Sequence, residues 1–298
     1  MKNPSDHEIR EGRLDVDDGH HIHFRHFVPN TPVDQIAVLC LPGFWRNARD
    51  FERIASLLAL SRIVVTPDMR GRGGSSRATD AGDYRFERLI EDVWRLLDHL
   101  NIETCVVIGT TLGGFMGLQM ACANRKRIVG LVLNDVGTET TSIASKRYSA
   151  LVDHAEWSLD QVVAKTKLAN LDFFPDFNEE DWQEFTLQAY RRVGDDRYTR
   201  DFDELTGEET ARFKREKTSF WDEFMSLDIP IAILRGERSD YFPEALAREM
   251  AQNHPRATLS IVDGRGHPPL LDEPQSRKAI EGVLQAVCVP IDLSHPIA

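Results

Sequence analysis

A hydroxyl, a carboxylate and an imidazole occur in this order along the chain, each just beyond an apolar run. Thr111 lies in "GTTLGG", Asp240 in "RGERSDYF" and His267 in "DGRGHPPLLDEP". An imidazole oriented by a carboxylate can take the proton of a hydroxyl, which makes the hydroxyl a nucleophile. In a doubly wound sheet, ligands bind beyond the carboxyl ends of the strands. The three segments therefore predict one nucleophilic site at that edge of a sheet.

Apolar runs and turn residues predict the elements that position these segments. Residues 8 to 40 indicate β-strands, which end in the apolar run "QIAVLCL". After residue 40, strand-like runs such as "RIVVTP", "CVVIG" and "IVGLVLND" alternate with helix-like segments such as "RFERLIEDVWRLLDHL". This alternation predicts an α/β fold with a mostly parallel, doubly wound sheet that helices cover on both faces.

The alternation stops between Gly137 and Asp228, where no strong β run occurs. Residues 138–227 therefore predict a helical insertion between two consecutive strands, with residues 1–137 and 228–298 forming the core domain. The insertion contains several large aromatic side chains, which are expected mainly in its own core and in part along a pocket: Trp157, Phe173, Phe174, Trp182 and Trp221.

Three segments together resemble the motifs of the α/β-hydrolase family. "PDMRGRGGS" is similar to the family's D-x-R-G-x-G-x-S turn, and "GRGHPPLLDEP" to the segment with its catalytic histidine. "GTTLGG" matches the nucleophile elbow G-x-S-x-G except at the nucleophile, where Thr111 replaces serine. The resemblance extends from about residue 10 to residue 288 and implies the capped form of the fold, with a helical lid between strands six and seven.

The resemblance also implies roles for individual residues. Thr111 takes the position of the nucleophile, His267 that of the general base and Asp240 that of the acid that orients the base. Asp135, at the end of the sixth strand, is the alternative acid. The backbone N–H groups of Leu112 and Phe44 are the expected oxyanion hole, although Pro42-Gly43 precedes Phe44 where the family often has His-Gly.

The elbow has physical requirements that the sequence meets. A strand must reverse into a helix within about four residues, which strains the backbone at the nucleophile. Gly109 and Gly113 remove side chains that would collide across this turn. A helix that begins near Leu112 directs its first N–H groups toward developing negative charge.

The threonine leaves three explanations open. Thr111 is a working nucleophile, or a slowed one such as a substitution introduced to trap a complex, or the chain has exchanged catalysis for ligand binding. The extra methyl restricts χ1 and crowds the attacking oxygen, yet a threonine hydroxyl can act beside a base. The retained acid and base segments argue against a pure binder.

These observations predict an enzyme that cleaves an ester, lactone or related carbonyl substrate through a covalent acyl-enzyme, without a cofactor or a metal. The alternatives are a non-catalytic small-molecule binding protein on the same fold and a carbon–carbon bond hydrolase. Dehalogenases and epoxide hydrolases of this family need an aspartate at the elbow and are disfavoured. Four histidines in "GHHIHFRH" suggest a metal site, but no cysteine or carboxylate in that segment completes a ligand set.

Composition limits the partners. The net charge of −12 argues against nucleic acid and anionic membranes and leaves a small molecule as the expected partner. The uncharged segment 104–124 has the length of a membrane span, but its glycines and polar residues favour a buried strand–turn–helix. The polar first residues do not resemble a signal peptide, and four cysteines in apolar segments predict reduced, buried thiols in the cytoplasm. The sequence leaves the oligomeric state open.

Overall fold

The computed structural model describes residues 7–31, 36–140 and 154–288. Its centre is an eight-stranded sheet, whose strands are β1 His7–Asp15, β2 His21–Pro29, β3 Ala37–Leu41, β4 Val64–Pro67, β5 Cys105–Thr110, β6 Ile128–Asn134, β9 Ile231–Gly236 and β10 Ala257–Val262. They lie in the order β1-β2-β4-β3-β5-β6-β9-β10. β2 pairs antiparallel with β1 and β4, and the other strands of this sheet (β3, β4, β5, β6, β9 and β10) run parallel to one another.

Helices connect the parallel strands and cover both faces of the sheet. Alternate residues of β3 and β5 belong to two different apolar clusters, for example Leu39 and Val107 to one and Val38 and Val106 to the other. This period of two is what burial on both faces requires. The α-helices of the described residues are α1 Glu52–Leu58, α2 Phe86–His99, α3 Leu112–Ala123, α4 Leu159–Asn170, α5 Glu179–Ala189, α6 Thr206–Glu216, α7 Trp221–Ser226, α8 Glu244–Asn253 and α9 Pro274–Val287.

The segment of residues 138–227 lies between β6 and β9, and its described part contains α4 to α7. It also contains an antiparallel hairpin, β7 Tyr190–Gly194 and β8 Arg197–Arg200, that forms a sheet of its own. The expectation of a purely helical insertion is therefore wrong in this detail. The hairpin strands are rich in arginine and lack the apolar alternation of a half-buried strand, so the usual signal was missing.

The insertion has an aromatic core of its own. Trp182 and Phe174 are fully buried, and their rings meet Phe177 and Phe185. Phe173 instead packs against Gly266, next to His267. Trp182 and Phe174 therefore lie in the insertion's own core, whereas Phe173 contacts the loop before His267.

Segment 104–124 forms β5, the turn and α3, as its glycines predicted. No helix in the described ranges has both the length and the apolar character that a membrane crossing needs.

The four cysteines are not uniformly buried. Cys40 and Cys105 are buried, and burial raises the pKa of the Cys105 thiol to about 12. Cys122 is half-buried and Cys288 is exposed, so the prediction of burial is wrong for Cys288. Cys288 directly follows α9 and lies beyond the apolar face of that helix.

Candidate active site

The segment "GTTLGG" forms a sharp elbow between β5 and α3. Thr111 lies between the last residue of β5 and the first of α3, with φ 46° and ψ −105°. This conformation is strained for a β-branched residue. A Cβ on Gly109 would lie 2.3 Å from the Gly113 carbonyl oxygen, and a Cβ on Gly113 would lie 2.0 Å from the Leu41 carbonyl oxygen. Both glycines are needed for the turn, as the sequence indicated.

His267 contacts the buried Asp135, which changes the expected acid. His267 Nδ1 lies 2.7 Å from Asp135 Oδ2, and the Asp135 side chain has no exposed surface. Asp240 is an exposed residue on the loop after β9. The structure therefore places the alternative acid, Asp135, on the imidazole, and the prediction of Asp240 as the orienting acid is wrong in this geometry.

The Asp135 carboxylate is held by three donors. Gly236 N–H donates to Oδ1 at 2.9 Å, and Ser239 Oγ donates to Oδ2 at 2.5 Å, beside the His267 contact. Ser239 Oγ in turn accepts the N–H groups of Tyr241 and Phe242. With Nδ1–H donating to the carboxylate, the lone pair of His267 lies on Nε2, which is the tautomer of a general base.

Strand ends bring these groups together. β6 pairs with β9, so Asp135, one residue after β6, lies beside the end of β9. Asn134 Nδ2 donates to Thr110 Oγ1 at 3.0 Å and to the Pro269 carbonyl at 3.1 Å. This buried amide ties the nucleophile strand to the loop that carries His267.

An aromatic ring covers the imidazole. The ring of Tyr241 stacks on that of His267 with centroids 4.1 Å apart and planes 19° apart. Burial, together with the nearby Asp135 carboxylate, raises the pKa of the Tyr241 phenol. The phenol is therefore neutral and contributes a flat wall that limits rotation of the imidazole.

Phe44 and Leu112 are the residues expected to supply the oxyanion hole. Within the described ranges, the N–H groups of Phe44 and Leu112 donate to no backbone carbonyl. Thr111 Oγ1 lies close to Gly43, the residue before Phe44, because a Cβ on Gly43 would be only 2.7 Å from it. Thr111 Oγ1 and His267 are not hydrogen-bonded to each other; such contacts often tighten only when substrate binds.

Arg72 holds the Phe44 segment in place. Its Nε and Nη2 donate to the Phe44 carbonyl at 2.9 and 2.7 Å, and its Nη1 donates to the Arg70 carbonyl at 2.6 Å. The guanidinium is fully buried, and this burial lowers its pKa to about 10. A buried cation with two bonds to one carbonyl fixes the residue whose N–H is the expected oxyanion donor.

The neighbouring turn residues have structural roles. Asp68 accepts the N–H groups of Ala48 and Gly74 and contacts His23 Nδ1 at 2.9 Å. Arg70 is paired with Asp92. No group of three metal-ligating side chains occurs among the residues whose positions the structure gives.

The insertion contacts the site from two directions. The Phe173 carbonyl accepts the Gly266 N–H at 2.8 Å, directly before His267. On the other side, the Phe213 ring of α6 lies 6.2 Å from that of Phe44 and 5.8 Å from that of Phe115 on α3. The insertion therefore touches both the base loop and the expected oxyanion hole.

Sequence reasoning missed three supporting residues. No sequence motif indicates that Ser239, Tyr241 or Arg72 contacts a site residue that is distant in sequence. "RGERSDYF" did identify the segment, but the contact to the site runs through Ser239 and Tyr241, on either side of Asp240.

Comparison with known proteins supports this architecture. A family model described as the alpha/beta hydrolase fold matches residues 36–274. A 3-hydroxybutyrate-oligomer hydrolase of Cupriavidus necator is 26% identical over 256 residues, 82% of this chain and 86% of that protein.

Solved structures agree. A crystal structure of an alpha/beta hydrolase from Novosphingobium aromaticivorans is 33% identical, covers 96% of this chain and 100% of its own, and superposes with a TM-score of 0.84. A Mycobacterium tuberculosis esterase, 19% identical over 96% of this chain and 93% of its own with a TM-score of 0.68, shares the fold. With the family model spanning most of its length, the chain belongs to the α/β-hydrolase fold family.

Proposed function

We propose that this chain is a carboxylic ester hydrolase that works through a covalent acyl-enzyme on Thr111. The observation that carries the proposal is the hydrogen bond between Asp135 and His267, together with a strained elbow that holds the Thr111 hydroxyl next to Gly43. A pure binding protein has no need of an imidazole fixed in one tautomer by a carboxylate with three donors.

The mechanism follows from these positions. His267 Nε2 takes the Thr111 Oγ proton as the oxygen attacks the ester carbonyl carbon. The negative charge that forms on the carbonyl oxygen is received by the N–H groups of Phe44 and Leu112. His267 then gives its proton to the departing alcohol, which leaves an acyl ester on Thr111. A water that His267 deprotonates cleaves this ester, and the proton returns to Thr111.

The substrate class is proposed from the relatives. The Cupriavidus necator relative is named for the hydrolysis of 3-hydroxybutyrate oligomers, which are linear esters of a short hydroxy acid. We assign short aliphatic esters of this kind to the present chain. The insertion of residues 138–227 serves as the cap above the elbow, because it contacts both Gly266 and Phe44. None of the proposed steps needs a cofactor.

Ester hydrolysis by three proteins tests the proposal. The native chain should hydrolyse p-nitrophenyl butyrate or a linear 3-hydroxybutyrate dimer, and His267→Ala should reduce kcat by about a thousandfold or more. Thr111→Ala should abolish the acyl-enzyme while the protein stays folded. If the native chain is no faster than His267→Ala on every ester, the chain is a binding protein and the proposal is wrong.

A further inference from the structure

A lysine of the insertion contacts the side chain of Phe44, a residue of the expected oxyanion hole. Lys214 is on α6, and its Nζ lies 4.8 Å from the centroid of the Phe44 ring. Phe44 is the residue whose backbone N–H is one of the two proposed oxyanion donors. The ammonium group of Lys214 therefore contacts the side chain of a residue whose backbone is expected to bind the reacting carbonyl.

Lys214 has no acidic partner in the described parts of the chain. No carboxylate lies within ion-pair distance of its Nζ, and burial is the cause that lowers the pKa of its amine. Other lysines of the insertion are paired: Lys167 with Glu179, and Lys217 with Glu223. A half-buried cation without a counter-ion is energetically costly, so its retention needs a reason.

Lys217 provides a comparison on the same part of the chain. It directly follows α6, three residues after Lys214, and its Nζ lies 4.9 Å from the centroid of the Phe220 ring. Both lysines therefore contact the face of a phenylalanine, which is a weak attraction. Only Lys217 also has a carboxylate, so the cation–π contact does not explain why Lys214 lacks one.

The packing of α6 fixes the location of Lys214. Phe213, its neighbour in sequence, packs against Phe44 and against Phe115 of the elbow helix. Phe213 also stacks on Phe86 with centroids 4.6 Å apart. These contacts hold α6 against the core, so Lys214 is presented to the site by a fixed helix.

We propose that Lys214 binds a free carboxylate of the substrate, so that the preferred substrate is an ester with an ionised acid at one end. This inference rests on the proposed ester hydrolysis and narrows its substrate class. A carboxylate beside Lys214 would supply the missing counter-ion in a partly dry site, where charge-assisted hydrogen bonds are strong. A linear hydroxy-acid ester has such an end, whereas a lactone or a fatty acyl ester of a neutral alcohol does not.

The rival explanation is structural. The methylene groups of a lysine can cover apolar surface while the amine reaches solvent. In that case Lys214 only shields Phe44, and its replacement by methionine would leave the preference between charged and neutral substrates unchanged.

A matched pair of substrates separates the two explanations. The linear 3-hydroxybutyrate dimer is compared with the same dimer whose terminal carboxylate is a primary amide. The ratio of the two kcat/KM values is measured for the native chain, Lys214→Met and Lys217→Met. The acid-to-amide ratio should fall by about ten- to a hundredfold in Lys214→Met and stay unchanged in Lys217→Met.

Binding provides a second readout that does not need catalysis. The probe is an analogue of the 3-hydroxybutyrate dimer that keeps the terminal carboxylate and has an amide in place of the internal ester. Its binding to each protein is measured by calorimetric titration. If the native chain hydrolyses neither substrate, the proposed function fails. The carboxylate site still stands if Lys214→Met weakens binding of the probe by tenfold or more relative to Lys217→Met. An unchanged substrate ratio, equal binding by both variants, or no binding to the native chain would overturn the inference.

Discussion

The carboxyl edge of the sheet and the insertion differ in what holds their functional side chains. At the edge, Thr111 and Asp135 directly follow strands, and backbone pairing fixes where they lie. In the insertion, Lys214 reaches the site from a helix that packs on the core through side chains. In the proposed function, the core provides the chemistry and the insertion provides the choice of substrate.

The insertion is also anchored by polar contacts around one aspartate. Asp201 Oδ2 accepts Arg49 Nη2 at 2.7 Å, and Arg77 and Arg191 lie within 4 Å of its carboxylate. Its carbonyl accepts the Gly73 N–H at 3.2 Å. The core and the insertion therefore meet at the turn that also carries Arg72.

The largest effect is expected at the acid. Asp135→Asn should reduce kcat by about a thousandfold or more, because the amide cannot hold His267 in the tautomer of a base. Asp240→Asn should change kcat by less than about tenfold, since Asp240 is exposed. Steady-state kinetics on one ester measures both variants, and the reverse ranking would return the acid to the loop after β9.

A smaller loss is expected when the oxyanion segment is loosened. Arg72→Lys keeps a positive charge but loses the pair of hydrogen bonds that Nε and Nη2 donate to the Phe44 carbonyl. A displacement of about 1 Å in the oxyanion donor should lower kcat by about ten- to a hundredfold while KM changes little. Urea unfolding serves as the control for folding. A rise in KM at constant kcat would show that Arg72 does not position the donor.

Breaking the anchor of the insertion should affect stability more than chemistry. Asp201→Asn removes the charge that offsets Arg49, and the free energy of unfolding should fall by about 1–3 kcal/mol. Asp195→Asn is the control, because this fully exposed carboxylate of the same insertion lies 3.8 Å from Arg192. Equal unfolding free energies for the two variants would argue against an anchor at Asp201.

The smallest effect concerns the end of the insertion, where His254 Nε2 lies 3.0 Å from the Leu227 carbonyl. The Arg256 N–H donates to Nδ1 at 3.2 Å, so the ring is neutral with its proton on Nε2. Burial lowers the pKa of His254 below its ordinary 6.5. The stability it contributes is therefore present above about pH 6.5 and is lost as the pH falls.

Chemical denaturation at pH 7 and pH 5 tests whether the contribution of His254 to stability is lost at the lower pH. The native chain should lose more unfolding free energy between the two pH values than His254→Gln does. His23, whose pKa is raised by its contact with Asp68, titrates in both proteins and cancels in the difference. An equal loss in both proteins would contradict the assignment.

The sequence predicted the elements whose patterns are local. Gly109, Gly113 and the apolar run before them identified the elbow, and α3 begins at Leu112, as expected. The acid was not predictable by the same reasoning, because Asp135 and Asp240 both follow strands. Two features distinguish Asp135 from Asp240. Asp135 adopts φ 50° in the turn after β6, and its carboxylate accepts a hydrogen bond from Ser239 Oγ.

The hairpin β7–β8 and Lys214 escaped prediction for a related reason. Arg191, Arg192, Arg197 and Arg200 give the hairpin a charged sequence, and its pairing depends on the turn at Asp195 and Asp196. Lys214 is one of several lysines in the insertion, and only the packing of α6 against Phe44 distinguishes it. Both features depend on contacts between segments that are distant in sequence, and such contacts leave no periodic pattern in the sequence.

The most direct test of the account compares Thr111 with Thr111→Ser and Thr111→Ala on p-nitrophenyl butyrate, with intact-mass detection of the butyryl adduct. Serine lacks the methyl that crowds the hydroxyl at φ 46°, so Thr111→Ser should raise kcat/KM by ten- to a thousandfold, about 1.4 to 4 kcal/mol of barrier. The native chain and Thr111→Ser should carry the adduct, and Thr111→Ala should carry none. A serine variant no faster than the native chain, or an adduct that persists in Thr111→Ala, would contradict a crowded threonine nucleophile in an intact hydrolase site.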